Sequence, residues 1–164
     1  MIFTVGSCYT LTVNQDHLCE IERLLGFTYP ASFHSIIREF TTLCNTPGFK
    51  QSFPTATLLL SAADIVAERE RMYARESLGV AGVPLPAEIA ERGERSSSTL
   101  IPFLRDEGCQ WPDTYAFNLE SHGPEYSVVV WSYADPTVVQ DWDGFITFYQ
   151  WLCEHVATNQ PRHP

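Results

Sequence analysis

Leu18, Ile21, Leu24 and Leu25 recur at the spacing of one helical face. Asn14 precedes them as a good N-cap, and Asp16 lies in the first turn. The pattern predicts a helix from about Gln15 to Leu25, stopped by Gly26. Pro30 suits a first helical position, and Phe33, Ile36, Ile37 and Phe40 form the next apolar stripe. That stripe ends at a turn cluster, Asn45-Thr46-Pro47-Gly48. Thr55 to Leu60 reads as a short strand. Ser61 and Asp64 resemble a capping box opening a helix to about Glu76, marked by Ile65, Met72 and Tyr73. Its charges alternate in sign, as on a solvated face. Upstream, Ile2 to Val13 alternates loosely and suits a short strand or an ordered lead-in.

The period changes in the second half. Leu100 to Leu104, Thr114 to Leu119 and Tyr126 to Trp131 read as strands. Asp106-Glu107-Gly108 and Ser121-His122-Gly123-Pro124 separate them as turns, which predicts an antiparallel meander. Asp141 or Asp143 caps a last helix, whose apolar face is Phe145, Phe148, Tyr149 and Leu152. Residues 79–99 read as a loop insertion, and 158–164 as a frayed tail. The expected fold is α+β: an antiparallel meander sheet packed by helices from both ends of the chain. At 164 residues the chain has the length of one domain, spanning 1–164 with a core of about 15–156.

Charge sharpens this picture. The net charge is −10, but residues 100–164 hold nine acids against Arg105 and Arg162 alone. Direct nucleic-acid binding needs basic patches, so this distribution argues against it. It suits a basic partner, whose encounter an acidic field would steer, although ordinary solubility also explains an acidic chain. No apolar run approaches the length of a membrane span, and MIFTVGSCYT lacks a basic leader region, so the expected location is the cytoplasm. Five cysteines with no C-x-x-C suggest buried reduced thiols rather than a zinc or disulfide framework.

Catalytic templates fail. There is no G-x-S-x-G, H-E-x-x-H or P-loop, and Gly79-Val-Ala-Gly82 lacks the third glycine of a dinucleotide fingerprint. Asp16, His17, Cys19 and Glu20 form the closest metal-like grouping, but they read better as a solvated first turn with one buried cysteine. Cys153 and His155 invite a nucleophile reading, yet nearby helical positions so spaced do not face each other. No catalytic residue, cofactor or metal is therefore assigned. The candidate partner-binding set is Asp106, Glu107, Trp111, Asp113, Glu120, Glu125, Asp135, Asp141, Trp142 and Asp143. Turn chemistry and capping explain several of these acids, but not the shortage of bases around them. Trp111 and Trp142 lie in or beside acidic turns, where an exposed aromatic can anchor a partner. Trp131 and Tyr115 read as core.

Three stretches resemble the SUKH superfamily, which includes the Smi/Knr-type cell-wall assembly regulators and many bacterial immunity proteins. The first runs from Ile21 through Gly26 and Pro30 to Phe33 and is similar to the family's helix, glycine and second-helix start. Tyr29 stands where the family usually has Leu. The second is Leu100-Ile101-Pro102-Phe103 followed by Asp113-Thr114-Tyr115-Ala116-Phe117-Asn118. There Pro112 replaces the usual glycine and Asn118 the final aspartate. The third is Val128-Val129-Val130-Trp131 with the helix from Asp143 to His155. The resemblance implies a non-enzymatic domain that binds another protein. Its bacterial branch neutralises toxins, often basic nucleases. The expected function is thus an immunity protein that occludes a cognate, basic, nuclease-type toxin through an acidic surface, as a monomer or homodimer. The alternatives are a regulatory scaffold with an endogenous cell-wall or signalling partner, and third a small hydrolase using paired carboxylates.

Overall fold

A computed structural model describes residues 15–78, 97–108, 112–121, 125–134 and 138–158. The expectations for residues 2–13, for most of the 79–99 loop, for Trp111 and Asp135, and for the tail beyond Thr158 lie outside those residues.

Helix α1 spans Gln15–Leu25, and Gly26 ends it at φ 73°, the left-handed conformation that glycine adopts without Cβ strain. Helix α2 spans Ala31–Cys44, with Pro30 as its N-cap. The expected turn at Asn45–Gly48 is corrected. Pro47 opens a short helix α3, Pro47–Ser52, because the Thr46 hydroxyl accepts the Phe49 amide at 3.2 Å and caps it. The Thr55–Leu60 strand shrinks to β1, Thr57–Leu58. Helix α4 spans Ala62–Leu78 and starts as expected: the Asp64 amide donates to Ser61 Oγ at 3.1 Å, and that hydroxyl donates to Asp64 Oδ2 at 2.6 Å.

A 3-10 turn at Ser97–Thr99 leads into β2, Leu100–Asp106. Then follow β3, Asp113–Asn118, and β4, Ser127–Ser132. A strand the hydrophobic pattern did not suggest, β5, spans Val138–Trp142, and α5 closes the chain over Phe145–Thr158. The five strands form an antiparallel meander in the order β1-β2-β3-β4-β5. The fold is α+β, with helices from both ends of the chain against this sheet.

Strand alternation divides the side chains between two faces. Ile101, Tyr115, Phe117, Val128, Val130 and Trp142 join the larger core with α1, α2, α3 and α5. A register shift between Pro102 and Leu104 lets Phe103 and Leu104 both reach it. Phe33 sits centrally there, with ring centroids 4.7 Å from Phe145, 4.8 Å from Tyr29 and 5.1 Å from Phe117. Leu100, Ala116, Val129 and Trp131 form a second core on the opposite face with Met72 of α4.

The solvated reading of α4 is also corrected. Its polar side chains fasten it to the sheet layer. Arg75 donates from Nε to the Tyr133 carbonyl at 2.8 Å, and Arg69 donates to the Ser98 carbonyl at 2.6 Å. Glu76 accepts the Ser97 amide at 2.8 Å and its hydroxyl at 2.7 Å. Cys19, expected to be buried, is exposed, whereas Cys44 is buried.

Candidate functional site

The meander distributes the predicted acids between the two ends of the sheet. Register pairing sets Asp106 directly opposite Asp113, and Asp113 opposite Ser132. Glu107 follows Asp106 into the β2–β3 connection, so Asp106, Glu107 and Asp113 share one end. Glu120 and Glu125 flank the β3–β4 connection at the other end, where Asn118 pairs with Ser127. Asp143 follows Trp142 at that same end, and exposed Asp141 precedes it on β5. Six residues of β3 separate the ends, a length of about 17 Å. The described acids of the predicted set therefore form two groups rather than one surface.

The Asn118 end is where α2 and α5 begin, and helix N-termini favour nearby negative charge. Glu125 serves α2 directly. Its Oε1 accepts the Ser32 amide at 3.2 Å, and its Oε2 accepts the Ser32 hydroxyl in a very short contact. Pro30 caps α2 with no side-chain hydrogen bond, so a carboxylate 93 residues away satisfies a first-turn donor. Asp143 is exposed two residues before α5. Trp142, considered above as an exposed partner anchor, is corrected to a core residue at 8% exposure. Its ring lies 4.9 Å from Trp151, 5.1 Å from Phe148 and 6.4 Å from Tyr115. Strand alternation explains this, because Trp142 pairs with Val128 and shares its inward face.

The Asp113 end is arranged differently. Asp106 Oδ1 accepts the Thr55 hydroxyl at 2.8 Å and the Gly108 amide at 3.1 Å. Asp113 lies across the strand pair from it. Partial burial pushes the Asp113 carboxyl above its ordinary value, a Ser132 hydrogen bond pulls it back, and the Asp106 charge pushes it further up. The next residue on the same face, Tyr115, is also raised, by burial first and then by both aspartates. Like charges directly opposite on adjacent strands are destabilising, a cost set here against the hydrogen bonds that hold each aspartate. Glu107 projects beyond it, exposed, with Arg105 Nη2 at 2.9 Å.

Arg105 leads inward to a group the sequence reading missed. Glu68, on α4, is 1% exposed. Its Oε1 accepts the Thr114 hydroxyl at 2.7 Å and the Tyr133 hydroxyl at 2.9 Å. Its Oε2 lies 3.1 Å from Arg71 Nη1 and 3.4 Å from Arg105 Nη1. A carboxylate buried this deeply needs such partners. The available signal was its position, between Ile65 and Met72 on the buried stripe of α4.

Two open clefts lie away from the predicted set. One, of about 280 Å³, runs between α4 and the 3-10 turn, past Val66 and Tyr73. The other, of about 490 Å³, lies between the starts of α1 and α2, lined by Asp16, His34 and Arg38. His34 Nε2 lies 2.7 Å from Glu22 Oε1, which also accepts the Tyr29 amide at 2.8 Å. Neighbouring Ser35 donates its hydroxyl to the Ala31 carbonyl rather than to the imidazole, so this arrangement is not a nucleophile–base pair. Among the described residues, no group of three or more His, Cys, Asp and Glu side chains is placed to hold a metal ion. No helix among them is long and apolar enough to cross a membrane.

Comparison with protein-family models, with curated proteins and with solved structures gave no match.

Proposed function

We propose that the protein is a non-enzymatic, cytoplasmic binding protein of the immunity type, which neutralises a basic, nuclease-type toxin by covering its active surface. The observation that carries this reading is the Asp106–Asp113 pair with Glu107 beside it. Two carboxylates face each other across a strand pair: Asp106 also holds the turn through the Gly108 amide, whereas Asp113 is partly desolvated. An incoming Lys or Arg would relieve that repulsion, so the unfavourable term in the free protein becomes a favourable one in the complex. No Lys or Arg occurs between Arg105 and Arg162, and the arginines that α4 and β2 bring to the sheet are engaged with Glu68, Glu107 and backbone carbonyls. The α+β meander, in the order that the SUKH-like motifs imply, is compatible with the same reading.

The test begins with tagged protein as bait in a lysate of its source cells, washed at low and high salt. The expected result is a stoichiometric basic partner, weakened by salt, whose nuclease activity falls as the protein is added. Asp106→Lys with Glu107→Lys should slow association at least tenfold and flatten its salt dependence, while Glu120→Lys should do less. Recovery of cell-wall or signalling proteins alone would move the assignment to a regulatory scaffold. Unchanged association in the Asp106/Glu107 variant would remove this end of the sheet from the contact.

A further inference from the structure

Helices α2 and α5 run in the same direction against the larger core. Phe145 lies between Phe33 and Phe40, at 4.7 Å and 5.3 Å, and one turn further on Phe148 and Tyr149 each lie 6.4 Å from Phe40. One turn beyond Phe40 stands Cys44, and one turn beyond Tyr149 stands Cys153. Continued by one turn, this spacing brings the two reduced cysteines to the same level of the helix pair. Their surroundings agree with that placement. Burial pushes the Cys44 thiol up to about 12, with Lys50 lowering it and Cys153 raising it further. Burial pushes the Tyr149 hydroxyl up, and Cys153 and, more weakly, Cys44 push it further. Cys44 is 2% exposed, whereas Cys153 is half-buried, so only one member of the pair is open to a reagent.

We propose that Cys44 and Cys153 are a redox-closable pair, joined into a disulfide between α2 and α5 when a peroxide oxidises Cys153. In the first step Cys153 Sγ, having lost its proton, attacks one peroxide oxygen. The O–O bond breaks, a sulfenic acid forms, and the other oxygen leaves as water. Cys44 Sγ, losing its own proton, then attacks the Cys153 sulfur. The S–S bond forms, the S–O bond breaks, and a second water leaves. Two thiols are oxidised and one peroxide is reduced, which balances the electrons. Because Cys44 stays a thiol at neutral pH, the second step is slow and accelerates as pH rises. The pair is independent of the toxin-binding reading.

The test treats the full-length protein with hydrogen peroxide, blocks remaining thiols and maps cysteine peptides by mass spectrometry before and after reduction. The expected product is a reducible Cys44–Cys153 peptide, preceded by a Cys153 sulfenic acid that dimedone traps. Closure should quicken about tenfold per pH unit over the neutral range, as the Cys44 thiolate fraction grows. The oxidised protein should melt several degrees higher, because the bond closes a long loop. Cys153→Ser should leave Cys44 a free thiol under the same treatment. Absence of the linked peptide in the wild type overturns the proposal, whether Cys153 stays reduced or advances to sulfinic acid. Pairing of either residue with Cys19 instead overturns it equally.

Discussion

Replacing Glu68 should destabilise the fold more than any other single charge change. Glu68→Ala removes the acceptor of two buried hydroxyls, Thr114 and Tyr133, and the counter-charge of Arg105, whose side chain is only 17% exposed. A hydrogen bond to a charged group contributes about 1.5–3 kcal/mol, and breaking a buried pair from one side costs about 3–5 kcal/mol. These overlap, because the same partners are orphaned in both accounts. The expected loss is therefore about 4 kcal/mol, a large share of a typical domain's stability. Arg71 adds little, since its side chain is 52% exposed. Glu68→Gln keeps an oxygen for the hydroxyls and loses only the charge, so it should cost about 2 kcal/mol.

Urea unfolding measures this directly, read from midpoints at constant slope. A double-mutant cycle isolates the ionic part. Once Glu68 is gone, Arg105→Ala should cost little more, and the double variant should be about 1–3 kcal/mol milder than the sum of the singles. A Glu68→Ala protein within about 1 kcal/mol of wild type would refute the claim that this network fastens α4 to the sheet. Strict additivity with Arg105→Ala would refute the pairing.

Three further outcomes follow from individual environments. Phe33→Ala should cost about 3–5 kcal/mol in the same assay, because its fully buried ring touches five other aromatic rings that cannot all close over the void. Tyr29→Phe should be neutral or stabilising by about 1 kcal/mol, since the hydroxyl is buried with no hydrogen-bond partner among the described residues. Asp113→Asn tests the raised Asp113 carboxyl through pH. The folded Asp113 carboxyl titrates above its ordinary 3.8, so its contribution is fully present below that value and is lost as pH rises through the raised one. Compared by urea midpoints at about pH 3.5 and about pH 7, the variant should gain on the wild type at the higher pH, and the reverse order would show that burial and the Asp106 charge do not raise the folded Asp113 carboxyl.

Local physics made most elements legible. Gly26, the Ser61–Asp64 box and the apolar runs of β3 and β4 between turn residues each act within a few residues, where a sequence shows the whole signal. Failures came where the determining partner was distant or the pattern broken. Strand β5 escaped because Val139, Gln140 and Asp141 are all exposed and a register shift interrupts the alternation. Helix α3 escaped because Thr46 and Pro47 suit a turn and a helix start equally well. Glu125 looked like a free surface acid because Ser32 lies so far from it in the chain. Glu68 looked solvated because i,i+3 and i,i+4 charges were its visible neighbours, while Thr114, Tyr133 and Arg105 come from three other segments.

That last distinction bears on how the acidic half works. Its excess of carboxylates divides by the dipoles around it. At the Asn118 end, α2 and α5 present N-termini, Glu125 is consumed as a helix cap, and Asp143 sits where a helix start welcomes negative charge. Those charges stabilise the free protein and would lose that benefit if a cation competed for them. At the Asp113 end the sign reverses. Asp106 and Asp113 oppose each other, and one is held partly out of water. Asp106 is held by the Thr55 hydroxyl and the Gly108 amide, so the cost of the opposition falls on Asp113, and neutralising Asp113 would stabilise the fold at neutral pH. On the proposed function, a basic ligand would offset that cost in the complex. The same substitution, Asp113→Asn, should then stabilise the isolated protein at neutral pH and weaken its complex, an opposition that a purely structural or purely solubilising role does not produce.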